Sequence, residues 1–110
     1  MARQIGSLTP LALHVLVALA EGPRHGYAIL RDIEERTAGA LSLRSGTLYL
    51  TLRRLRDDGL LEEAPPPAES SDTRRRYFAL TDTGRRLARR EVEVLGTLLR
   101  DARSRLGSEA

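Results

Sequence analysis

The strongest constraint on the fold lies in the last third of the chain, where apolar residues recur at alternating intervals of four and three. The positions are Ala88, Val92, Leu95, Leu99, Ala102 and Leu106. This spacing puts them on one face of a helix and is typical of a coiled-coil seam. We expect Thr81 to cap this helix and Leu106 to end it. A second copy of the chain is the simplest cover for the seam; the alternative is that the helix folds back on the first helix.

The first helix is marked at both ends. Thr9 is a good N-cap, and Pro10 suits the first helical position. We expect the helix to end near Glu21, before Gly22-Pro23. Residues 11–20 are apolar on nearly all sides, which predicts burial of most of the surface. Because this run is only about half of the ~20 residues that span a bilayer, it predicts no membrane contact, and we expect a cytoplasmic protein.

Two further helices follow. The second is predicted to begin near His25 and to continue to about Thr37, and the third to start from Ser45 as N-cap and to end at Gly59. The third helix turns its leucines inward at positions 48, 52 and 55.

The opposite face of the third helix carries Leu50, Arg53, Arg54 and Asp57, and its flanks carry Thr47 and Tyr49. Such a face suits the major groove of DNA, where arginine pairs with guanine edges and hydroxyl groups bind phosphates. An ordinary solvated surface helix is the alternative.

A β-hairpin is predicted after this helix. Residues 60–64 and 74–80 are the candidate strands, and residues 65–73 form a polar, proline-rich loop. Arg74, Arg75 and Arg76 lie at the root of the returning strand. Because the hairpin directly follows a helix suited to DNA, we interpret it as a wing that lies along the DNA backbone. A compatible alternative is an edge strand that its charge protects from aggregation.

The basic residues are clustered. All 18 are arginine, and the formal net charge is +3. A GC-rich genome explains the absence of lysine, but it does not explain the placement. Four arginines and no acid lie between residues 44 and 56. Seven arginines and a single acid, Asp82, lie between residues 73 and 90. Clustered arginine indicates a phosphate-binding surface.

The residues argue against catalysis. The chain has no cysteine, two histidines, no glycine-rich phosphate loop and no His-Glu metal spacing, so we expect no enzyme, metal or cofactor. His14 is predicted to be a buried, hydrogen-bonded structural residue. The remaining alternative is a winged-helix module for protein–protein contact. The arginine-rich wing and the basic third helix argue against it.

Seven short motifs occur in a specific order and spacing. They are Gly22-Pro23, His25-Gly26-Tyr27, Ser45-Gly46-Thr47-Leu48-Tyr49, Leu52-Arg53-Arg54-Leu55, Gly59-Leu60-Leu61, Arg76-Tyr77-Phe78 and Leu80-Thr81-Asp82-Thr83-Gly84. Together they make residues 8–99 resemble the PadR family of transcriptional regulators, in its short subfamily with one C-terminal helix. The resemblance implies a mainly α fold with a small β-hairpin. A winged helix-turn-helix domain would occupy residues 1–80, and a dimerisation helix with its tail would occupy residues 81–110.

The resemblance also implies a homodimer, usually a repressor, on a palindromic double-stranded DNA operator. Its third helix would enter the major groove, and its wing would contact the flanking backbone. The predicted DNA-contacting residues are Tyr27, Arg44, Ser45, Thr47, Tyr49, Leu50, Arg53, Arg54, Arg74, Arg75 and Arg76. The predicted dimer interface consists of Leu11, Val15, Ala88, Val92, Leu95, Leu99, Ala102 and Leu106.

The chain departs from the family pattern at one position. Leu50 stands where the family usually has proline, on the outward face of the third helix. The change should leave the fold intact, but the family's base preference cannot be transferred to this position. Some relatives bind flat cationic drugs between aromatic residues at the dimer interface. Residues 82–110 contain no aromatic residue, so we predict no such pore and assign no small-molecule effector.

Overall fold

The computed structural model describes residues 8–70 and 74–107, which form four helices and three short strands. The helices are α1 (Pro10–Ala18), α2 (Gly26–Arg36), α3 (Ser45–Asp57) and α4 (Asp82–Leu106). The strands are β1 (Arg24–His25), β2 (Leu61–Ala64) and β3 (Tyr77–Leu80). The predicted fold class is confirmed. Three segments lie outside the described residues: residues 71–73 of the predicted loop, residues 1–7 of the first predicted unit and residues 108–110 of the second.

The helix ends follow capping chemistry, with two differences from the prediction. The hydroxyls of Thr9 and Thr81 accept from the backbone N–H groups of Ala12 (3.1 Å) and Gly84 (3.0 Å), as expected of N-caps. α1 ends at Ala18, earlier than predicted, because the backbone changes to hydrogen bonds between residues three apart. The prediction that Ser45 caps α3 is wrong: the Arg44 carbonyl accepts the first helical hydrogen bond, from Leu48 N–H at 3.1 Å.

The sheet has a strand that the sequence did not reveal. β1 pairs with β3, and β3 also pairs with β2, so that the antiparallel order is β1-β3-β2. β3 is therefore the central strand, and the interpretation of residues 74–76 as a charged edge strand is wrong. Both hairpin strands are also shorter than predicted, because pairing begins only at Leu61 and Tyr77.

The core lies between α1, α2, α3 and the sheet, and it extends to the first turns of α4. Its fully buried side chains are Val15, Leu16, Leu19, Ile29, Ile33, Leu48, Leu52, Leu60 and Leu61. Gly84 explains how α4 approaches: a Cβ atom there would lie 2.9 Å from the carbonyl carbon of Leu60. Only glycine permits this contact, which brings Leu87 and Ala88 into the core.

Two residues predicted to face a partner are covered by the chain itself. Val15 is 0% exposed and Ala88 is 9% exposed, because α4 packs its first turns on the core that α1 helps to form. Neither residue offers surface to a second chain, so both are corrected to core positions. Beyond Ala88, none of the described residues of α4 is buried. No helix within the described ranges is long and apolar enough to cross a membrane.

Candidate nucleic-acid interface

α3 separates its two faces as the sequence predicted. Leu48, Leu52 and Leu55 are buried, whereas Tyr49 and Leu50 are 41% and 46% exposed. The remaining predicted DNA-contacting residues on or beside this helix are also exposed: Arg44, Ser45, Thr47, Arg53 and Arg54. The leucine stripe fixes the helix to the core, and the basic and hydroxyl side chains therefore project from the protein.

Tyr49 joins α3 to the start of α2. Its hydroxyl end lies against Gly26, where a Cβ atom would come within 2.7 Å of the tyrosine Cζ. Gly26 is the first residue of α2, and the His25 side chain caps that helix by accepting from Ala28 N–H at 3.1 Å. The absence of a side chain at Gly26 thus leaves room for the end of the tyrosine side chain.

Arg75 joins the wing, which we define as residues 61–70 and 74–80, to α2. Its guanidinium lies 5.5 Å from the centroid of the Tyr27 ring, within the range of a cation–π contact. Its Nη1 also lies 3.2 Å from the His25 Nδ1. The Tyr27 hydroxyl in turn accepts from Arg31 at 3.3 Å, and this hydrogen bond, followed by the one to Glu35, raises the pKa of Arg31.

Arg76 joins the wing to α3 through a carboxylate. Glu63 on β2 accepts from Arg76, and the same oxygen lies 3.4 Å from the Nη1 of Arg56. The hydrogen bond from Arg76 is the main reason why the pKa of Glu63 lies below its usual value. Arg76 also lies above the Phe78 ring, 5.6 Å from its centroid.

The structure brings most of the predicted DNA-contacting residues together around Tyr49. One crevice, of about 160 Å³, is lined by Tyr49, Leu52, Arg53, Arg56, Arg76 and Phe78. A second, of about 410 Å³, is lined by Gly26, Tyr27, Leu30, Leu43, Arg44, Ser45, Leu48 and Tyr49. Thr47, Leu50, Arg54, Arg74 and Arg75 are exposed but line neither of them.

Sequence reasoning missed Arg56, Glu63 and the contact between His25 and Arg75. Arg56 had a usable signal, because it follows Arg53 by three residues and so lies near it on the helix surface. Glu63 and Arg76 are 13 residues apart, and His25 and Arg75 are 50 apart. No local pattern marks contacts at such separations.

His14 lies away from this surface, in the contact between α1 and α2. Arg36 reaches both the His14 ring at Nδ1 (3.1 Å) and the His14 carbonyl oxygen (3.1 Å), while pairing with Asp32 at 2.8 Å. Burial, followed by the positive charge of Arg36, lowers the pKa of His14. The predicted hydrogen bonding of His14 is confirmed, although the side chain is only half-buried. Within the described ranges, no group of His, Cys, Asp and Glu could hold a metal ion.

Comparison with known proteins decides the family. Residues 15–90 match the transcriptional regulator PadR-like family. The chain belongs to that family. Its members are transcriptional regulators, and the matched segment of this PadR-like chain contains all of α2, α3 and the three strands, together with the start of α4.

Solved structures agree with the PadR-like fold. A PadR family regulator from Eggerthella lenta is 31% identical, with a TM-score of 0.65; the match covers 91% of this chain and 83% of that one. Bacillus subtilis PadR, solved in complex with operator DNA, has a TM-score of 0.64 at 21% identity. That match covers 76% of this chain and 47% of that one, and at this identity it shows the fold alone.

A further relative is much longer than this PadR-like chain. It is a 37.1 kDa protein in transposon TN4556 of Streptomyces fradiae, 42% identical over 84 residues. The match covers 76% of this chain but only 22% of that protein.

Proposed function

We propose that this chain is a cytoplasmic, homodimeric, sequence-specific DNA-binding regulator that acts as a repressor. α3 enters the major groove, and the wing lies on the flanking backbone. One observation carries the proposal: arginines of α3 (Arg53 and Arg56) and Arg76 of the wing line one crevice together with the exposed Tyr49. The complex of Bacillus subtilis PadR with operator DNA supports it.

α3 has the dimensions and chemistry that groove binding needs. Its 13 residues give a length of about 20 Å, and a helix fits the roughly 12 Å width of the major groove. Arg53 and Arg54 point away from the leucine stripe, so they reach base edges when the helix enters the groove. Thr47 and Tyr49 on its flanks bind phosphate oxygens, which fixes the register of the helix without specifying sequence.

The wing contributes affinity. Arg74, Arg75 and Arg76 are exposed. Arg75 rests on Tyr27 of α2, and Arg76 is joined to α3 through Glu63. These contacts hold arginines of the wing beside the first turn of α2 and beside α3. Such a row of guanidinium groups is suited to bind the phosphates of one DNA strand next to the groove.

The exposed seam of α4 supports a homodimer. Val92, Leu95, Leu99 and Leu106 follow the heptad spacing, and all four are exposed, Leu106 at 83%. Apolar grooves of about 350 and 320 Å³ lie between α1 and α4, one containing Val92 and the other Leu95. A second α4 covers such a surface, with Ala102, which continues the heptad spacing, and the half-buried Leu11 of α1 as further interface residues. A two-fold dimer reads two half-sites about 34 Å apart, hence a palindromic operator.

The two predicted units have separate functions in this proposal. The winged helix-turn-helix unit, up to residue 80, binds DNA. The dimerisation unit begins at residue 81, but its first turns, through Ala88, stabilise the DNA-binding core. The helix from Arg89 onward joins two copies.

A mobility-shift titration with DNA from the region upstream of the protein's own gene tests the proposed function. We expect a complex that survives excess random-sequence competitor and weakens steeply as salt is raised. A winged-helix adaptor for proteins would give no complex with these properties, and that result would contradict the proposed function.

A further inference from the structure

The crevice between α3 and the wing concentrates positive charge in a small volume. Arg53 and Arg56 line it from α3, and Arg76 lines it from the residue before β3. Phe78 lies beneath the Arg76 guanidinium. Within a volume of about 160 Å³, three guanidinium groups therefore surround one opening.

Glu63, which does not line this crevice, is the anion that two of its arginines share in the unbound protein. One oxygen of its carboxylate contacts Arg76 and lies 3.4 Å from Arg56. Arg56 has a second, longer ion pair with Asp57, at 3.9 Å. Two guanidinium groups that converge on one oxyanion form the arrangement with which arginine binds phosphate.

We propose that Arg56 and Arg76 form a binding site for a DNA backbone phosphate, and that Glu63 occupies this site until DNA displaces it. The inference rests on the proposed function and adds two residues to it. Arg56 becomes a phosphate contact on the last turn of α3. Glu63 becomes an internal competitor that weakens binding to every DNA sequence equally, because a phosphate carries no base information.

The energetics favour such an exchange. All three side chains are exposed, between 40% and 55% at Arg56, Glu63 and Arg76, so the pairs with Glu63 are readily broken. Ion pairs between exposed side chains stabilise a protein only weakly. A backbone phosphodiester, like the carboxylate, spreads one negative charge over two acceptor oxygens and so can take its place, and Arg53 beside them adds a further positive charge. A carboxylate left opposite a phosphate would repel it, so Glu63 must move when the phosphate binds.

Fluorescence anisotropy with a labelled random-sequence duplex measures the competition. Glu63→Gln removes the charge and keeps the shape of the side chain. Glu62→Gln is the matched control: it removes the same charge from the neighbouring exposed residue of β2, for which the structure shows no hydrogen bond or ion pair among the described residues. We expect Glu63→Gln to bind about 3- to 10-fold more tightly than Glu62→Gln, the range that one to two weak ion pairs allow.

A second comparison separates local competition from general charge. In a protein that carries Arg56→Ala and Arg76→Ala, Glu63→Gln should raise the affinity for DNA no more than Glu62→Gln does, because the site that Glu63 occupies is gone. Equal affinities of the two glutamine variants in the otherwise unchanged protein would overturn the inference, and so would weaker binding by Glu63→Gln. Failure of the unchanged protein to bind any duplex would instead refute the proposed function.

Discussion

The hydroxyl end of the Tyr49 side chain on α3 lies against Gly26, the first residue of α2, with its Cζ 2.7 Å from where a Cβ atom of residue 26 would be. Tyr49 is exposed and lines both crevices of the candidate interface. A side chain at residue 26 of one helix would therefore displace a predicted DNA-contacting side chain of another helix.

Gly26→Ala should weaken DNA binding through Tyr49. The added methyl group displaces the tyrosine ring, which removes its phosphate hydrogen bond, worth about 1 kcal/mol or roughly 5-fold in affinity. In a Tyr49→Ala background the same substitution should weaken binding no further. Anisotropy titrations of the four proteins measure this coupling. Additive effects would show that Gly26 acts independently of Tyr49, and thermal unfolding checks that each variant folds.

The wing arginines should contribute affinity without sequence preference. Replacing Arg74, Arg75 and Arg76 by alanine should weaken binding to all duplexes alike. The slope of log K against log salt should fall by about 0.9 for each phosphate that the variant no longer neutralises. Alanine at Arg86, Arg100 and Arg105 removes the same charge from exposed positions on α4 and is the control. An unchanged slope in the wing variant would exclude the wing from the interface.

The helices were largely predictable because their signals are local. Thr9-Pro10 and Thr81 define two helix starts through single side-chain caps, and the spacing of Leu48, Leu52 and Leu55 defines the buried face of α3. Each of these signals lies within one or two helical turns, where sequence distance and spatial distance agree.

The parts that the sequence did not predict depend on distant contacts. β1 has two residues, too few for any alternation, and is a strand only because β3 pairs with it. Ala88 was assigned to the interface from its heptad position, but the close approach of Gly84 to Leu60 carries that turn of α4 into the core. The bridge from Glu63 to Arg76 likewise needed the folded hairpin.

Arg53 and Arg54 should contribute specificity. Removal of a bidentate arginine–guanine pair costs about 1–3 kcal/mol of discrimination. Arg53→Ala or Arg54→Ala should therefore relax the preference at one defined operator position while preferences at other positions stay as they were. Selection of bound sequences from a randomised pool measures each position. If both variants keep the full preference of the unchanged protein, another element contacts the bases.

His14 should make stability depend on pH. Because the pKa of His14 is lowered in the folded protein, the unfolded chain binds a proton more readily. The free energy of unfolding should be highest above the ordinary histidine value of 6.5, fall as the pH drops below it, and level off below the lowered pKa. His14→Gln keeps an acceptor for Arg36 but cannot titrate, so its unfolding midpoint should change less between pH 7.5 and 5.5. An identical change in both proteins would assign the effect to other groups.

Sedimentation of a Leu95→Glu variant, with and without operator DNA, tests the central claim that two copies joined through α4 bind DNA. Leu95 is half-exposed in the seam, and glutamate there would bring two carboxylates together in an apolar contact. Thr97→Glu, on the opposite face of the same helix, is the control and should remain dimeric. The account predicts a folded Leu95→Glu monomer whose binding falls to the weak, salt-driven level of a single half-site. A dimeric Leu95→Glu protein, or a monomer that binds the palindrome with full affinity, would contradict it.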